Sequence, residues 1–332
     1  MMPEIRQNPA TKEWVIIATE RAKRPEDFAK PENTEEDLPA FLDTCPFCPG
    51  SEDKTPPEIM SYRDGDGKWT LRVIPNKFPA LVPKGETARE EDFDFFRSMD
   101  GVGQHEVIVE TPKHNETFGT IDDAKALEIV RAYRERYLAL STDKRFKLVK
   151  IFRNQGKAAG TSLEHPHSQI VATPIVPLHI RHRLEEATRY YDDHGQCVFC
   201  RMIEMERKEG KRVVLEEDGF VVIHPFAARV PFETWILPTE HRATFGEVSM
   251  AELEGFARAL NRTLGRLVQV LRRPAYNLVV RTAPNGEEGE EYYHWHVQII
   301  PRLTTPAGFE LGTGVYINTT LPEITAAFIR EA

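Results

Sequence analysis

The sequence predicts an α+β protein of two tandem, similar domains, each a mainly antiparallel sheet with one packed helix. Three observations carry this reading. One pattern of Cys, His and Gln is written twice: Cys45-Pro-Phe-Cys48, His114 and His165-Pro-His167-Ser-Gln169, then Cys197-Val-Phe-Cys200, His241 and His294-Trp-His296-Val-Gln298. All four cysteines of the chain are spent in these two pairs. Each copy threads strand, helix and strand between corresponding residues, without the regular spacing of βαβ units, which favours antiparallel sheets. The expected domains are residues 1–176 and 177–332, linked near Pro174 to Pro177.

The elements follow in order. Glu106-Val-Ile-Val-Glu110 reads as a strand that leads through Thr-Pro-Lys to His114, and Thr234-Trp-Ile-Leu237 leads through Pro-Thr-Glu to His241. A helix should follow each. Leu127, Val130, Tyr133 and Tyr137 share one face at helical spacing, as do Leu253, Phe256, Leu260, Leu264 and Leu267. Ser249 with Glu252 three residues on is a capping-box start for the second helix. Phe146 to Phe152 and Tyr276 to Val280 are strand-like, and each H-x-H-x-Q segment runs into an apolar stretch. The offset between halves is 127 for His114 and His241, and 129 for His165 and His294, but 152 for Cys45 and Cys197. An insertion therefore follows the first cysteine pair. Gly50 to Lys68, with its prolines and the turn Asp64-Gly-Asp-Gly67, is where the sequence puts it.

A C-x-x-C turn presents two thiolates to one ion, and two later histidines complete a tetrahedron that suits zinc. Cys45, Cys48, His114 and His165 form one expected set, and Cys197, Cys200, His241 and His294 the other. Four protein ligands leave no open position, so two structural zinc ions per chain are expected. A redox pair or buried reduced cysteines are the competing readings for each C-x-x-C.

The surroundings of the two H-x-H-x-Q segments differ. Arg153-Asn-Gln-Gly156-Lys157-Ala-Ala-Gly160-Thr-Ser162 precedes the first and is small, basic and glycine-containing, which suits phosphate. Asn285-Gly-Glu-Glu-Gly-Glu-Glu291 precedes the second, and its carboxylates repel a pyrophosphate. His167 is therefore the expected nucleophile, able to form a phosphoramidate. Gln169, two residues on and on the same strand face, is placed to hydrogen-bond a phosphoryl oxygen. His296 is expected to pack instead, Trp235 and Trp295 to be core or interface aromatics, and Glu287 to Glu291 to shield the second metal set. The competing reading of His167 is a satisfied core histidine.

These residues resemble the galactose-1-phosphate uridylyltransferase family of the histidine-triad superfamily over nearly the whole chain. The most specific element is His165-Pro-His167-Ser-Gln169, which matches the family's H-P-H-x-Q signature. The resemblance implies two histidine-triad-like domains, the first carrying catalysis, and nucleotidyl transfer between a nucleotide sugar and a hexose 1-phosphate through a covalent nucleotidyl-His167, with Gln169 holding the phosphoryl oxygens. It implies that Arg21 and Arg24 in Arg21-Ala-Lys-Arg24, with Asn76, Asn154, Gly160 and Ser162, contact the nucleotide or its phosphates. A homodimer is implied as well. Departures point to the ADP-glucose phosphorylase branch, in which the nucleotide is adenylyl and phosphate or a sugar phosphate accepts it. These are the second C-x-x-C pair, the stretches Pro225-Phe-Ala-Ala and Pro231-Phe-Glu-Thr-Trp235, and the segment Gly308 to Asn318, read as a glycine-containing loop able to line a sugar pocket; Asn76-Lys77, where the galactose enzymes usually carry Asn-Asp, departs at the base contact. A hydrolytic or non-catalytic nucleotide-binding module is the remaining alternative.

The totals agree with a soluble enzyme. The 332 residues suffice for two cores, 40% are hydrophobic and 29% charged. The net charge of −9 argues against a nucleic-acid partner. No apolar run of bilayer length or signal-peptide core is present, so a cytoplasmic location without membrane attachment is expected.

Overall fold

The computed structural model describes residues 2–18, 25–28 and 38–332. Arg21 and Arg24 lie outside the described residues. In chain order the strands and helices are β1 (Glu4–Gln7), β2 (Trp14–Ile17), β3 (Met60–Arg63), β4 (Trp69–Pro75), β5 (Glu90–Asp92), β6 (Phe96–Ser98), β7 (Gln104–Val109), α1 (Asp123–Ser141), β8 (Leu148–Gln155), β9 (His167–Thr173), α2 (Leu178–His194), α3 (Val198–Glu209), β10 (Val213–Glu217), β11 (Phe220–Ile223), β12 (Thr234–Pro238), α4 (Met250–Leu271), β13 (Tyr276–Arg281), β14 (His296–Pro301), α5 (Gly308–Thr313), β15 (Tyr316–Asn318) and α6 (Pro322–Arg330).

The α+β architecture with antiparallel pairing is as expected, and the internal repeat is explicit in the topology. The first half orders its strands β3-β4-β7-β9-β8 and the second β10-β11-β12-β14-β13. The two half-sheets do not stand apart. β8 and β13 pair antiparallel, Tyr276 against Gln155 through Val279 against Phe152, and join them into one ten-stranded sheet. That junction covers the edge each half-sheet would otherwise expose. Among the described strands, β15 with β2 is the one parallel pair, in a small sheet with β1; Val82 and Val102 form an isolated parallel bridge.

The two helices with clear periodicity form as expected. Asp122 caps α1 by accepting from the Lys125 N–H at 2.7 Å. Ser249 and Glu252 cap α4 reciprocally, at 3.2 and 2.8 Å. The buried faces of both meet alternate residues of the sheet, Phe220 and Val222 of β11 among them, in the main core. Val221 and Ile223 point the other way, into a second cluster with Trp235, Leu237 and the helices α2 and α3. The period-2 alternation thus feeds two layers.

Two expectations are corrected. The extra residues of the first half are not at Gly50 to Lys68. Asp64-Gly-Asp-Gly67 is the hairpin turn between β3 and β4, which correspond to β10 and β11. Asp64 Oδ1 accepts from the Asp66 and Lys68 N–H groups, at 3.0 and 2.9 Å. The insertion is at 76–103, which carries the β5–β6 hairpin, where the second half has only 224–233. Gly308 to Asn318 is not a loop. Leu311 N–H donates to Ala307 O at 3.0 Å and Gly314 N–H to Glu310 O at 2.9 Å, closing the short helix α5 before β15.

Candidate active site

His167 opens β9, and the antiparallel ladders on both sides fix its height. Val109 of β7 stands opposite it, and Val107 stands opposite Gln169. His167 Nδ1 donates to the His165 carbonyl at 2.8 Å. The proton is therefore on Nδ1, and the Nε2 lone pair is left for chemistry. Burial pulls the His167 pKa below the usual imidazole range, against the opposing hydrogen bond to His165 and the Glu110 charge. The ring is neutral, as a nucleophile must be.

The ring is not sealed in apolar packing. It lines a cavity of about 430 Å³ together with Gln169, Asn76 and Ser162. Phe47 sets one wall, its ring edge-on to His167 at 5.5 Å between centroids. Ile74, Val107 and Leu163 are apolar lining residues, and Phe78 also lines the cavity although 83% exposed. Lys54 and Lys77 are its cations.

Gln169 is tied from behind. His105 Nδ1 accepts from the Ala80 N–H at 3.2 Å, and its Nε2 lies 2.8 Å from Gln169 Oε1 and 3.1 Å from Asn76 Nδ2. The carboxamide oxygen is thereby occupied, and the Gln169 amide N–H groups remain for an anion in the cavity. Asn76 belongs to the same group. Its N–H donates to the His105 carbonyl at 2.8 Å and its Oδ1 accepts from the Phe78 N–H at 2.9 Å. Replacing His105 by alanine frees the Gln169 rotamer. Turnover is expected to fall about 10- to 100-fold with a smaller change in KM for the nucleotide sugar; steady-state kinetics with matched circular dichroism checks this, and an unchanged kcat would contradict it.

Beneath His167, on the other face of the strands, lies a buried polar network. Glu110 and Arg153, each 1% exposed, pair at 3.0 Å. Glu110 also accepts from Ser168 Oγ at 2.5 Å and Tyr133 OH at 3.0 Å. Arg153 reaches Gln155, Tyr276 and Thr117. Every partner is used, which is what makes a buried ion pair tolerable; removing one member costs about 3–5 kcal/mol. Arg153 is therefore no part of a phosphate loop, as its position in the sequence suggested. Strand alternation sends it away from Asn154.

The structure gathers four of the expected contact residues around one cavity: His167, Gln169, Asn76 and Ser162. Asn154 and Gly160 are not among its lining residues. Asn154 is one step past the Arg153–Ser168 pair, hence opposite His167, and its Oδ1 accepts from Asn277 Nδ2 at 2.7 Å. Gly160 closes the turn after β8 at φ 86°, a left-handed conformation that favours glycine. Lys157, on the same turn, is exposed and 3.9 Å from Glu164. Lys54 and Phe78, which line the cavity, and His105, which meets Gln169 across the β7–β9 sheet pairing, carried no sequence signal.

The two Cys/His sets also assemble. In each, the four ligand atoms lie within 4.8 Å of one another. Cys45 Sγ is 3.6 Å from His165 Nδ1, and Cys48 Sγ is 3.6 Å from both His114 and His165 Nδ1. A tetrahedral ion with bonds of about 2.3 Å to sulfur and about 2.0 Å to nitrogen needs an S···N separation of about 3.5 Å, close to these distances. In the second set Cys200 Sγ lies 3.3 Å from His241 and 3.5 Å from His294. Three of the four far nitrogens are fixed by backbone carbonyls: His165 Nε2 donates to Thr111 O at 2.8 Å, His294 Nε2 to Pro238 O at 3.0 Å, and His241 Nε2 to Glu290 O at 3.0 Å. This leaves the Nδ1 of these three bare toward the ion position; His114 Nε2 has no partner among the described residues. The Glu287 to Glu291 segment thus meets the second set through its backbone.

His296 has the His167 geometry without the access. Its Nδ1 donates to the His294 carbonyl at 3.1 Å, but the ring is stacked on Trp235 and tilted against Phe199, both at 4.9 Å. Trp235 and Trp295 are core residues.

The descriptions of the N-terminal and C-terminal domains of galactose-1-phosphate uridyl transferase match residues 1–177 and 183–307. The chain belongs to the galactose-1-phosphate uridylyltransferase family. Relatives include ADP-glucose phosphorylase of Arabidopsis thaliana, 36% identical over 99% of this chain and 93% of that protein. Galactose-1-phosphate uridylyltransferase of Thermotoga maritima is 31% identical over 99% and 98%. The solved Arabidopsis ADP-glucose phosphorylase with bound ADP-glucose superposes with a TM-score of 0.84 at 34% identity, covering 100% of this chain and 99% of that one. A solved uridylyltransferase gives 0.77 at 30%, covering 99% and 98%. Like its family, the chain is a nucleotidyltransferase, and its two-layered repeat is the family fold. Among the described residues no helix is long and apolar enough to cross a membrane.

Proposed function

We propose that this member of the galactose-1-phosphate uridylyltransferase family moves a nucleoside monophosphate from a nucleotide sugar to a hexose 1-phosphate, in two steps through His167. The single observation that carries the reading is the His167 ring, neutral by burial, with Nδ1–H tied to a carbonyl and the ring lining a cavity beside Gln169 and Ser162. Nε2 attacks the α-phosphorus. An N–P bond forms, the bond to the bridging oxygen breaks, and sugar 1-phosphate leaves with the electron pair. A phosphate oxygen of the acceptor then attacks the same phosphorus and returns the pair to Nε2. Gln169, held by His105, donates to a non-bridging oxygen as charge builds. Lys54 and Lys77 offset the charge of the phosphates, and Phe47, Ile74, Val107 and Phe78 offer apolar surface to a nucleobase.

Both Cys/His sets take zinc in this reading, with four protein ligands each and a structural role. His165, as a ligand two residues from His167, holds the start of β9. A homodimer is part of the proposal: Phe309 and Leu311 on α5 are 47% and 77% exposed and suit a partner's surface better than water.

A second reading has specific support. Identity and superposition are both higher to the ADP-glucose phosphorylase than to the uridylyltransferases named above. In that reading the nucleotide is adenylyl and inorganic phosphate accepts it. Stoichiometric enzyme incubated with UDP-glucose or ADP-glucose separates the two. The preferred nucleotide releases glucose 1-phosphate, and a chase with galactose 1-phosphate or phosphate identifies the acceptor. Release from neither sugar nucleotide would overturn both readings.

A further inference from the structure

The second half keeps the H-x-H-x-Q segment but surrounds its glutamine with cations. Arg281 of β13 stands opposite His296 in the sheet register, the place that Asn154 holds opposite His167. Its Nε donates to Gln298 Oε1 at 2.8 Å, and its two Nη groups donate to no described residue. The β13–β8 ladder ends at the Val279–Phe152 pair, and just beyond it lie Arg281 on β13 and Lys150 on β8. Lys150 Nζ donates once, to the Val280 carbonyl at 2.6 Å. Both side chains are half-buried, so solvent reaches them.

Arg183 of α2, with a side chain only 9% exposed, lies over the same face and pairs with Glu13 at 3.1 Å. Arg229 pairs with Glu233 at 3.6 Å. Four cations here face two carboxylates. Like charges set close together repel, and excess buried charge is costly. The repulsion registers in the groups themselves. Burial first, then the charges of Arg183 and Arg229, draws the Arg281 pKa down to about 9, and burial with Arg281 and Arg183 draws Lys150 well below its usual range. Among the described residues, the positive charge gathered here exceeds the carboxylate charge paired with it.

We propose that Lys150, Arg183 and Arg281, with the Gln298 amide, form a second oxyanion site that takes inorganic phosphate or the phosphate of a phosphomonoester. None of the four lines the His167 cavity, so the site is separate from the chemistry. Arg281 offers the forked donors that fit a phosphate, Lys150 a point charge, and Arg281 turns the Gln298 carboxamide by holding its oxygen. The repeat thus uses one strand position twice, once beside a reactive imidazole and once beside a guanidinium.

Equilibrium dialysis of the metal-loaded full chain against radiolabelled inorganic phosphate counts the sites. The wild type is expected to bind one equivalent beyond that held in the His167 cavity. Arg281→Gln is expected to weaken that equivalent about tenfold or more while still being nucleotidylated at His167. Phosphate is expected to raise the melting temperature of the wild type by more than that of Arg281→Gln, which keeps only the His167 cavity for it. Competition by a hexose 1-phosphate would identify a phosphomonoester as the ligand, and its failure to compete, free phosphate; either supports the site. An Arg281→Gln protein that binds phosphate as the wild type does, or a wild type with no equivalent beyond the catalytic cavity, overturns it. Should Arg281→Gln not fold, Lys150→Met is read by the same two criteria.

Discussion

Replacing His167 by alanine is expected to abolish nucleotidyl exchange while leaving the protein folded. The expected fall in kcat is on the order of a millionfold, because the variant has no atom to carry the nucleotidyl group between half-reactions. The structural loss is small: one hydrogen bond to the His165 carbonyl and one edge contact with Phe47. The cost in stability should stay within about 1–2 kcal/mol, since the cavity on which the ring opens already admits water. The repeat supplies its own control. His296→Ala removes a ring packed between Trp235 and Phe199, and large-to-small changes in such a place cost about 2–5 kcal/mol. That variant should melt lower yet still be nucleotidylated at His167. Steady-state exchange assays and thermal melts on the two variants together separate chemistry from packing. Turnover retained by His167→Ala would remove the nucleophile from its role.

Loss of the first metal has the other large effect. Cys48 is fully buried, and its Sγ lies 3.6 Å from both histidines of the set, so Cys48→Ser breaks the set at its centre. Structural zinc sites contribute about 10–16 kcal/mol of apparent binding free energy in small domains, far above the stability of most folds. An ion held by the set would tie the Cys45–Cys48 turn, which carries Phe47 of the cavity wall, to His165 just ahead of β9. Cys48→Ser is therefore expected to lose about one metal equivalent per chain, melt well below the wild type, and lose exchange activity. Burial pushes the His165 pKa down to about 4, so that ring stays neutral, and remains a competent ligand, throughout the mildly acidic range. Metal content by elemental analysis, beside the melting curve and the exchange rate, checks all three effects. A variant with unchanged metal content, or a wild type without metal whose cysteines cycle between thiol and disulfide, would contradict the structural role.

Much of the fold could be read in the chain because its constraints are local or repeated. The two Cys/His sets announce themselves by type and order, and the Ser249–Glu252 box and the apolar face of α4 are local signals that the packed core then uses. Elements with weaker local marks were not read: α2 and α3, which lie between the halves, and the junction of β8 with β13, which no residue spacing encodes. Asp64-Gly-Asp-Gly67 looks like an inserted loop because a hairpin turn and a loop use the same residues; only the pairing of β3 with β4 distinguishes them. Arg153 misled for a related reason. It sits beside Asn154 in sequence, yet a strand sends neighbours to opposite faces, and Glu110 waits on the other one. The glutamine of the signature was legible, whereas the residue that aims it was not, since His105 meets Gln169 only across the β7–β9 ladder.

The most direct measurement is intact-protein mass spectrometry of the enzyme mixed with UDP-glucose and, separately, with ADP-glucose, followed by peptide mapping. The expected result is one nucleotidyl adduct per chain with at least one of the two, acid-labile as a phosphoramidate is, mapped to His167 and lost on adding the acceptor phosphate. An adduct on another residue, or exchange that proceeds with no adduct at any time, would contradict the covalent route.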